Sequence, residues 1–83
     1  MNVVLIYNVK SGGKYDLRRL KKLFKEHGMN VTYSFSVRQL SSQKLASLVH
    51  RGVTVAAVGG DGTHNAAARL IVGTKSSLLP LPG

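Results

Sequence analysis

The sequence predicts an α/β fold in three layers, α-β-α, with a parallel sheet covered by helices. Three observations predict it. Strand-length apolar runs alternate with segments of helical period, in the order β-α-β-α-β-α-β. Short loops join them, as right-handed crossovers between parallel strands require. Glycine-rich turns follow the first and third strands, at Asn8–Gly13 and Gly59–Gly62, on the sheet edge where such folds bind ligands.

Val3–Tyr7 is an unbroken apolar run, the pattern of a strand buried on both faces. Asn8–Gly13 has turn chemistry. From Asp16 to His27 the period becomes helical. Leu17, Leu20, Leu23 and Phe24 share one face, and Lys14, Arg18, Lys21, Lys22 and Lys25 lie mostly off it. Asp16 suits the first turn, where the helix dipole favours an anion, and Gly28 suits the stop. Val31, Tyr33, Phe35 and Val37 alternate with polar residues, which predicts a second strand.

Leu40–Ser41 opens a second helix, with Ser41 as N-cap and Leu40 stapled onto Leu45. Leu45, Leu48 and Val49 form its apolar face and Gly52 ends it. Val53–Val58, apolar apart from Thr54, is the third strand. Gly59–Gly62 is a turn, and Thr63–Val72 a third helix rich in Ala. Gly73–Ser77 is a turn. Leu78–Leu81 is the last strand, and Pro80 makes it short or places it at an edge. No repeat, low-complexity tract or linker divides the chain.

The chain has 83 residues, a single small domain by length. It has no Cys, which excludes a disulfide scaffold, a thiolate metal site and a thiol nucleophile. With 43% hydrophobic residues it is not a disordered basic tail. Twelve Lys or Arg against three acids give a formal net charge of +9, which favours polyanionic partners. The three acids are Asp16, Glu26 and Asp61, too few for most chemistry that needs paired carboxylates. The first apolar run is about a quarter of a bilayer span and lacks a basic leader, so a cytoplasmic protein is expected.

Gly59-Gly60-Asp61-Gly62-Thr63 joins a buried strand to a helix. Glycines let a ligand approach the main chain, and a helix start offers free N–H groups and a positive dipole end. The pair makes an anion site suited to phosphate, to which the Thr63 hydroxyl can add a bond. Asp61 is repulsive toward phosphate. Either Mg²⁺ bridges it to the phosphates, or it caps the helix and faces away. Neither a Gly-Lys-Ser/Thr loop end nor a Gly-x-Gly-x-x-Gly turn is present.

Val58-Gly59-Gly60-Asp61-Gly62-Thr63 resembles the Gly-Gly-Asp-Gly-Thr signature of the diacylglycerol kinase catalytic domain family. Sphingosine kinases and NAD kinases share that superfamily. Asn8-Val9-Lys10-Ser11-Gly12-Gly13 is similar to the family's Asn-Pro-x-Ser-Gly-Gly turn, and Leu79-Pro80-Leu81-Pro82-Gly83 to the approach to its Pro-x-Gly-Thr-x-Asn-Asp segment. The resemblance implies a Rossmann-like fold of the NAD kinase and diacylglycerol kinase type. It implies an ATP-dependent lipid kinase that passes the γ-phosphoryl to a lipid hydroxyl such as diacylglycerol's, with Mg²⁺. It further implies nucleotide contacts at Asn8, Ser11, Gly12, Ser36, Gly59, Gly60, Asp61, Gly62, Thr63 and Asn65, with Mg²⁺ held indirectly through Asp61.

The chain departs from the family at Val9, where Pro is usual, and at Ala66, where Glu is common. It stops at Gly83, before the Gly-Thr-x-Asn-Asp residues are complete. The resemblance therefore implies a nucleotide-binding portion truncated at Gly83, without the C-terminal β-rich domain that supplies the general base, and inactive alone. The implied partners are ATP, a lipid at the inner membrane face and that missing domain, with oligomeric state open.

Plainer readings stand beside these. The basic stripe from Lys14 to Lys25 is a solvated helix face or a contact for anionic headgroups. Ala66-Ala67-Ala68-Arg69 is also similar to a segment of NAD kinases, which keeps an NAD kinase-like enzyme as an alternative. A non-catalytic phosphate or nucleic-acid module is another, disfavoured for nucleic acid because Tyr7, Tyr15, Phe24, Tyr33 and Phe35 fall mostly on core positions. His27 and His50 lie near helix ends, where a cation is mildly favourable. His64 has no visible orienting acid, and Ser11 has no base to activate it as a nucleophile.

Overall fold

The computed structural model describes residues 1–8 and 16–82. The expectations placed on Val9, Lys10, Ser11, Gly12, Gly13, Lys14, Tyr15 and Gly83 lie outside the described residues. The elements are β1 (Asn2–Tyr7), α1 (Leu17–Glu26), β2 (Asn30–Ser36), a 3-10 turn (Val37–Gln39), α2 (Gln43–Arg51), β3 (Thr54–Gly59), α3 (Asp61–Ile71) and β4 (Ser77–Pro82). All three strand pairings are parallel, in the order β2-β1-β3-β4.

That order dictates the layers. The crossover from β1 to β2 runs one way along the sheet, and those from β2 to β3 and β3 to β4 run the other. One hand of crossover therefore puts α1 on one face and α2 with α3 on the opposite face. The core divides accordingly. Leu20 and Phe24 of α1 pack with Val3, Leu5, Ala56 and Val58. Leu45, Leu48 and Val49 of α2 and Ala67 of α3 pack with Val4, Ile6, Val55 and Ala57. Successive residues of β1 and β3 thus serve opposite layers, so both strands read as unbroken apolar runs.

Caps and stops fix the helix ends. The Asp16 side chain accepts the Arg19 N–H at 2.8 Å and starts α1. Gly28 and Gly52 follow α1 and α2 with φ of 77° and 97°. The expected N-cap of α2 shifts by one residue. Ser42, not Ser41, accepts the Leu45 N–H. Ahead of it, the 3-10 turn takes up Val37, expected in β2, and delays α2 to Gln43. Leu40 still packs on the cluster that holds Leu45, but from the end of that turn.

Two further expectations change. Simple alternation would put Val31, Tyr33 and Phe35 on one face. The pairing slips instead, with Val3 opposite Val31 but Val4 opposite Tyr33. Thr32 is the extra residue, and its hydroxyl donates to the Val3 carbonyl at 3.2 Å. Val31 therefore joins the α1 layer and Phe35 the α2–α3 layer. Tyr33 is 41% exposed rather than core, with Lys44 Nζ 4.9 Å from its ring centre. The second change is α3, which starts at Asp61 rather than Thr63.

Among the described residues β4 is an edge strand, as Pro80 predicts. Ser77 N–H donates to the Val53 carbonyl, so Leu79 and Leu81 also face β3, while residues 78, 80 and 82 face outward. Pro80 and Pro82 occupy outward positions and cost the ladder no bond.

Candidate functional site

Parallel strands align their C-terminal ends along one edge. Tyr7 pairs with Ser36 and with Val58, and Gly59 pairs with Pro82. Asn8, Ser36 and the Gly59–Thr63 segment are thereby brought to the same edge, contributed by β1, β2 and the β3–α3 junction. Ser11 and Gly12 lie outside the described residues.

The junction is built around one close contact. Thr63 is 4% exposed and its side chain turns back onto Gly59. A Cβ on Gly59 would lie 2.6 Å from Thr63 Oγ1 and 2.8 Å from Thr63 Cβ. No side chain fits there, so glycine at 59 is a demand of the protein's own packing. Thr63 and Ala67, one turn apart, are the buried face of α3.

Gly60 and Gly62 are different. Neither has a positive φ, and an added Cβ at either would meet nothing within 4 Å. Gly60 is the N-cap of α3 and Gly62 lies in its first turn. Glycine inside a helix is unfavourable relative to Ala by about 1 kcal/mol, so the described fold gives no reason for Gly62. What the two glycines leave is open space over the main chain at the helix start. The first bond of the α3 ladder is from His64 N–H to the Gly60 carbonyl at 3.1 Å. The N–H groups of Asp61, Gly62 and Thr63 therefore precede the ladder, at the positive end of the dipole.

Asp61 is not the cap of α3; it occupies the first helical position and is exposed. Asn65 follows it by one turn and is also exposed. Among the described residues, no group of three His, Cys, Asp or Glu could hold a metal ion by protein ligands alone. Ser36 is 8% exposed, and its N–H donates to Gln39 Oε1 at 2.9 Å, bracing the 3-10 turn beside the edge. Among the described residues, no buried side-chain polar atom lacks a partner.

Two positions gain roles that sequence does not assign. His64 Nε2 is 2.9 Å from the Leu81 carbonyl, which ties the start of α3 to the end of β4. Ala67 is fully buried in the α2–α3 layer, so packing accounts for that part of the Ala-rich run. A larger depression of about 510 Å³ opens elsewhere, at the N-terminal strand ends between Asn2, Arg51, Lys75 and Ser77. It lies on the opposite edge of the sheet from the glycine junction, and its volume alone says nothing of chemistry.

Comparison with curated proteins and with solved structures returned no match. The family model of the diacylglycerol kinase catalytic domain matches residues 2–83, and the chain belongs to that family.

Proposed function

We propose that this chain is the ATP-binding part of a lipid kinase that phosphorylates a lipid hydroxyl such as that of diacylglycerol. The observation that carries the reading is the open space above Gly60 and Gly62 at the start of α3. Kinase membership supplies the ligand class. The N–H groups of Asp61, Gly62 and Thr63 receive phosphate oxygens, which strengthens binding without side-chain reorganisation. Asn8, Ser36, Gly59, Gly60 and Asn65 surround the nucleotide from the same edge, and Ser11 and Gly12 also contact it. Asp61 would hold Mg²⁺ indirectly, and that cation would offset the charge of the transferred group.

In the reaction, the lipid hydroxyl oxygen bonds to the γ-phosphorus and the bond to the β,γ-bridging oxygen breaks. ADP leaves, and the hydroxyl proton passes to a base outside this segment, in a β-rich C-terminal domain. The protein works in the cytoplasm, peripherally at the inner membrane face where its acceptor resides.

Calorimetric titration of MgATP tests the nucleotide site. The folded wild type binds, and Asp61→Ala and Gly62→Ala bind more weakly. Equal binding by all three sinks the reading. Incubating the protein joined to its catalytic half with labelled ATP, on diacylglycerol and on NAD separately, tests the acceptor. Label appearing in NAD rather than lipid overturns the lipid assignment.

A further inference from the structure

We infer that the depression at the N-terminal strand ends is a second ligand site, and that it takes the phosphate monoester of a small polyhydroxylated molecule, a sugar phosphate in class.

Two turns that the fold ties together assemble the site. One ends α2 and carries Arg51 and Gly52; the other precedes β4 and carries Lys75 and Ser76. Ser76 joins them, because its hydroxyl donates to the Val49 carbonyl and accepts the Val53 N–H. The Ser77 N–H adds a bond to the Val53 carbonyl. Gly52 lets the turns close. Its φ is 97°, and a Cβ there would stand 3.1 Å from Lys75 Cβ. Lys75 is thereby held against the residue that follows Arg51, and both cations line one depression of about 510 Å³.

The lining selects the ligand. None of the chain's three acids belongs to it. Asp16 caps α1, Glu26 ends α1, and Asp61 lies at the opposite edge of the sheet. Among the described residues, neither the Arg51 nor the Lys75 side chain has a hydrogen bond or an ion pair. Two unpaired positive charges match one dianionic group. The C-terminal end of α2 opposes an anion with the equivalent of about half a charge, which the two cations exceed. Arg offers paired donors to phosphate oxygens, and Lys a point charge.

The rest of the ligand is read from the other side chains. Asn2, Thr32, Thr54 and Ser77 add an amide and three hydroxyls, which suit a body rich in hydroxyl groups. No aromatic ring is among the described lining residues, so none is placed to stack on a nucleobase. The volume falls within the range of about 300–1,000 Å³ usual for small-molecule sites. The site lies at the opposite strand ends from the glycine junction, and it does not rest on the kinase reading.

Titration of glucose 6-phosphate into the isotope-labelled protein, followed by amide NMR without nucleotide, tests the inference. The amides of Gly52, Thr54, Lys75 and Ser77 shift and saturate, and those of residues 60–63 do not. Glucose moves neither set, and inorganic phosphate binds the first set several-fold more weakly. Arg51→Gln and Lys75→Gln each lose several-fold in affinity, and the two together lose at least about tenfold. Lys21→Gln with Lys22→Gln, the same change of charge on α1, retains binding. The ligand-free spectra check that each variant folds, and the single variants carry the test if the double does not. Prior saturation with MgATP leaves the titration unchanged. The inference is overturned by shifts confined to residues 60–63, by the absence of saturable shifts, by competition with MgATP, or by equal loss from both pairs of substitutions. Inorganic phosphate binding as tightly as the sugar phosphate overturns the assignment of a hydroxylated ligand.

Discussion

Gly59 and Thr63 are in such close contact that a methyl group on Gly59 would sit 2.6 Å from the Thr63 hydroxyl oxygen. Gly62, three residues on, faces open space. Two glycines of one short motif therefore serve different ends, and mutation separates them. Gly59→Ala forces the buried Thr63 off the strand end, and overpacking of this kind costs about 1–3 kcal/mol. Gly62→Ala is neutral or stabilises α3 by up to about 1 kcal/mol. Thermal unfolding reads both, and MgATP titration reads the ligand. Gly62→Ala raises or holds the melting temperature while weakening MgATP. A destabilised Gly62→Ala protein would show that the glycine serves the fold after all.

His64 joins the start of α3 to β4 through the Leu81 carbonyl at 2.9 Å. Among the described residues β4 has a neighbour on one side only, so this bond is part of what holds its end. His64→Ala costs about 1 kcal/mol, the net worth of an ordinary hydrogen bond. In a domain of this size that lowers the melting temperature by about 4–8 °C. His64→Gln, whose amide can donate to the same carbonyl, recovers part of the loss. Amide exchange quickens first in β4. Unchanged β4 exchange in the Ala variant would show that the contact carries no load.

The elements that were legible in the sequence are those whose cause is local. β1 and β3 declare themselves as unbroken apolar runs because both of their faces are covered. Asp16 and Gly28 declare the ends of α1. Ser41 and Ser42 are chemically equal as caps, and the choice between them depends on the 3-10 turn that Gln39 braces on Ser36. The slip at Thr32 is invisible for a similar reason. Val31 looks equivalent to Tyr33 and Phe35 until the register sets it opposite Val3 and sets them opposite Val4 and Ile6, on the other face, where Phe35 is buried and Tyr33 exposed. The glycine junction was legible as a motif, but not its division of labour, because Thr63 and Gly59 meet only once α3 starts at Asp61. The partners of His64 and Ser76 lie on distant elements, and no sequence period marks them.

Leu45 and Tyr33 test the core boundary on the α2–α3 face of the sheet. Leu45 is 0% exposed, between α2 and the sheet. Leu45→Ala removes buried methyl groups and leaves a cavity, at a cost of about 2–5 kcal/mol. Tyr33→Ala loses an exposed ring under Lys44, worth about 0.5–1 kcal/mol. Urea titrations of the two variants therefore differ severalfold in stability lost. Comparable losses would mean that Tyr33 is buried.

Ser76 carries the last test, at the end of the sheet away from the glycine junction. Its hydroxyl donates to the Val49 carbonyl at 2.7 Å and accepts the Val53 N–H at 2.9 Å. One oxygen thus satisfies a carbonyl in the last turns of α2 and an amide just before β3, and fixes both to the start of β4. Thr74 supports it, accepting the Ser76 N–H at 3.1 Å while donating to the Ile71 carbonyl at 2.6 Å. Ser76→Ala strands the Val53 N–H, while the Val49 carbonyl keeps the Gly52 N–H at 3.2 Å, and the loss costs about 1–3 kcal/mol. Thr74→Val costs about 1 kcal/mol for the loss of its hydroxyl. The two share a network, so their effects do not add. The double variant loses less than the sum, by about 0.5 kcal/mol or more. Urea midpoints at unchanged slope measure the cycle, and strict additivity would show that the two hydroxyls act independently.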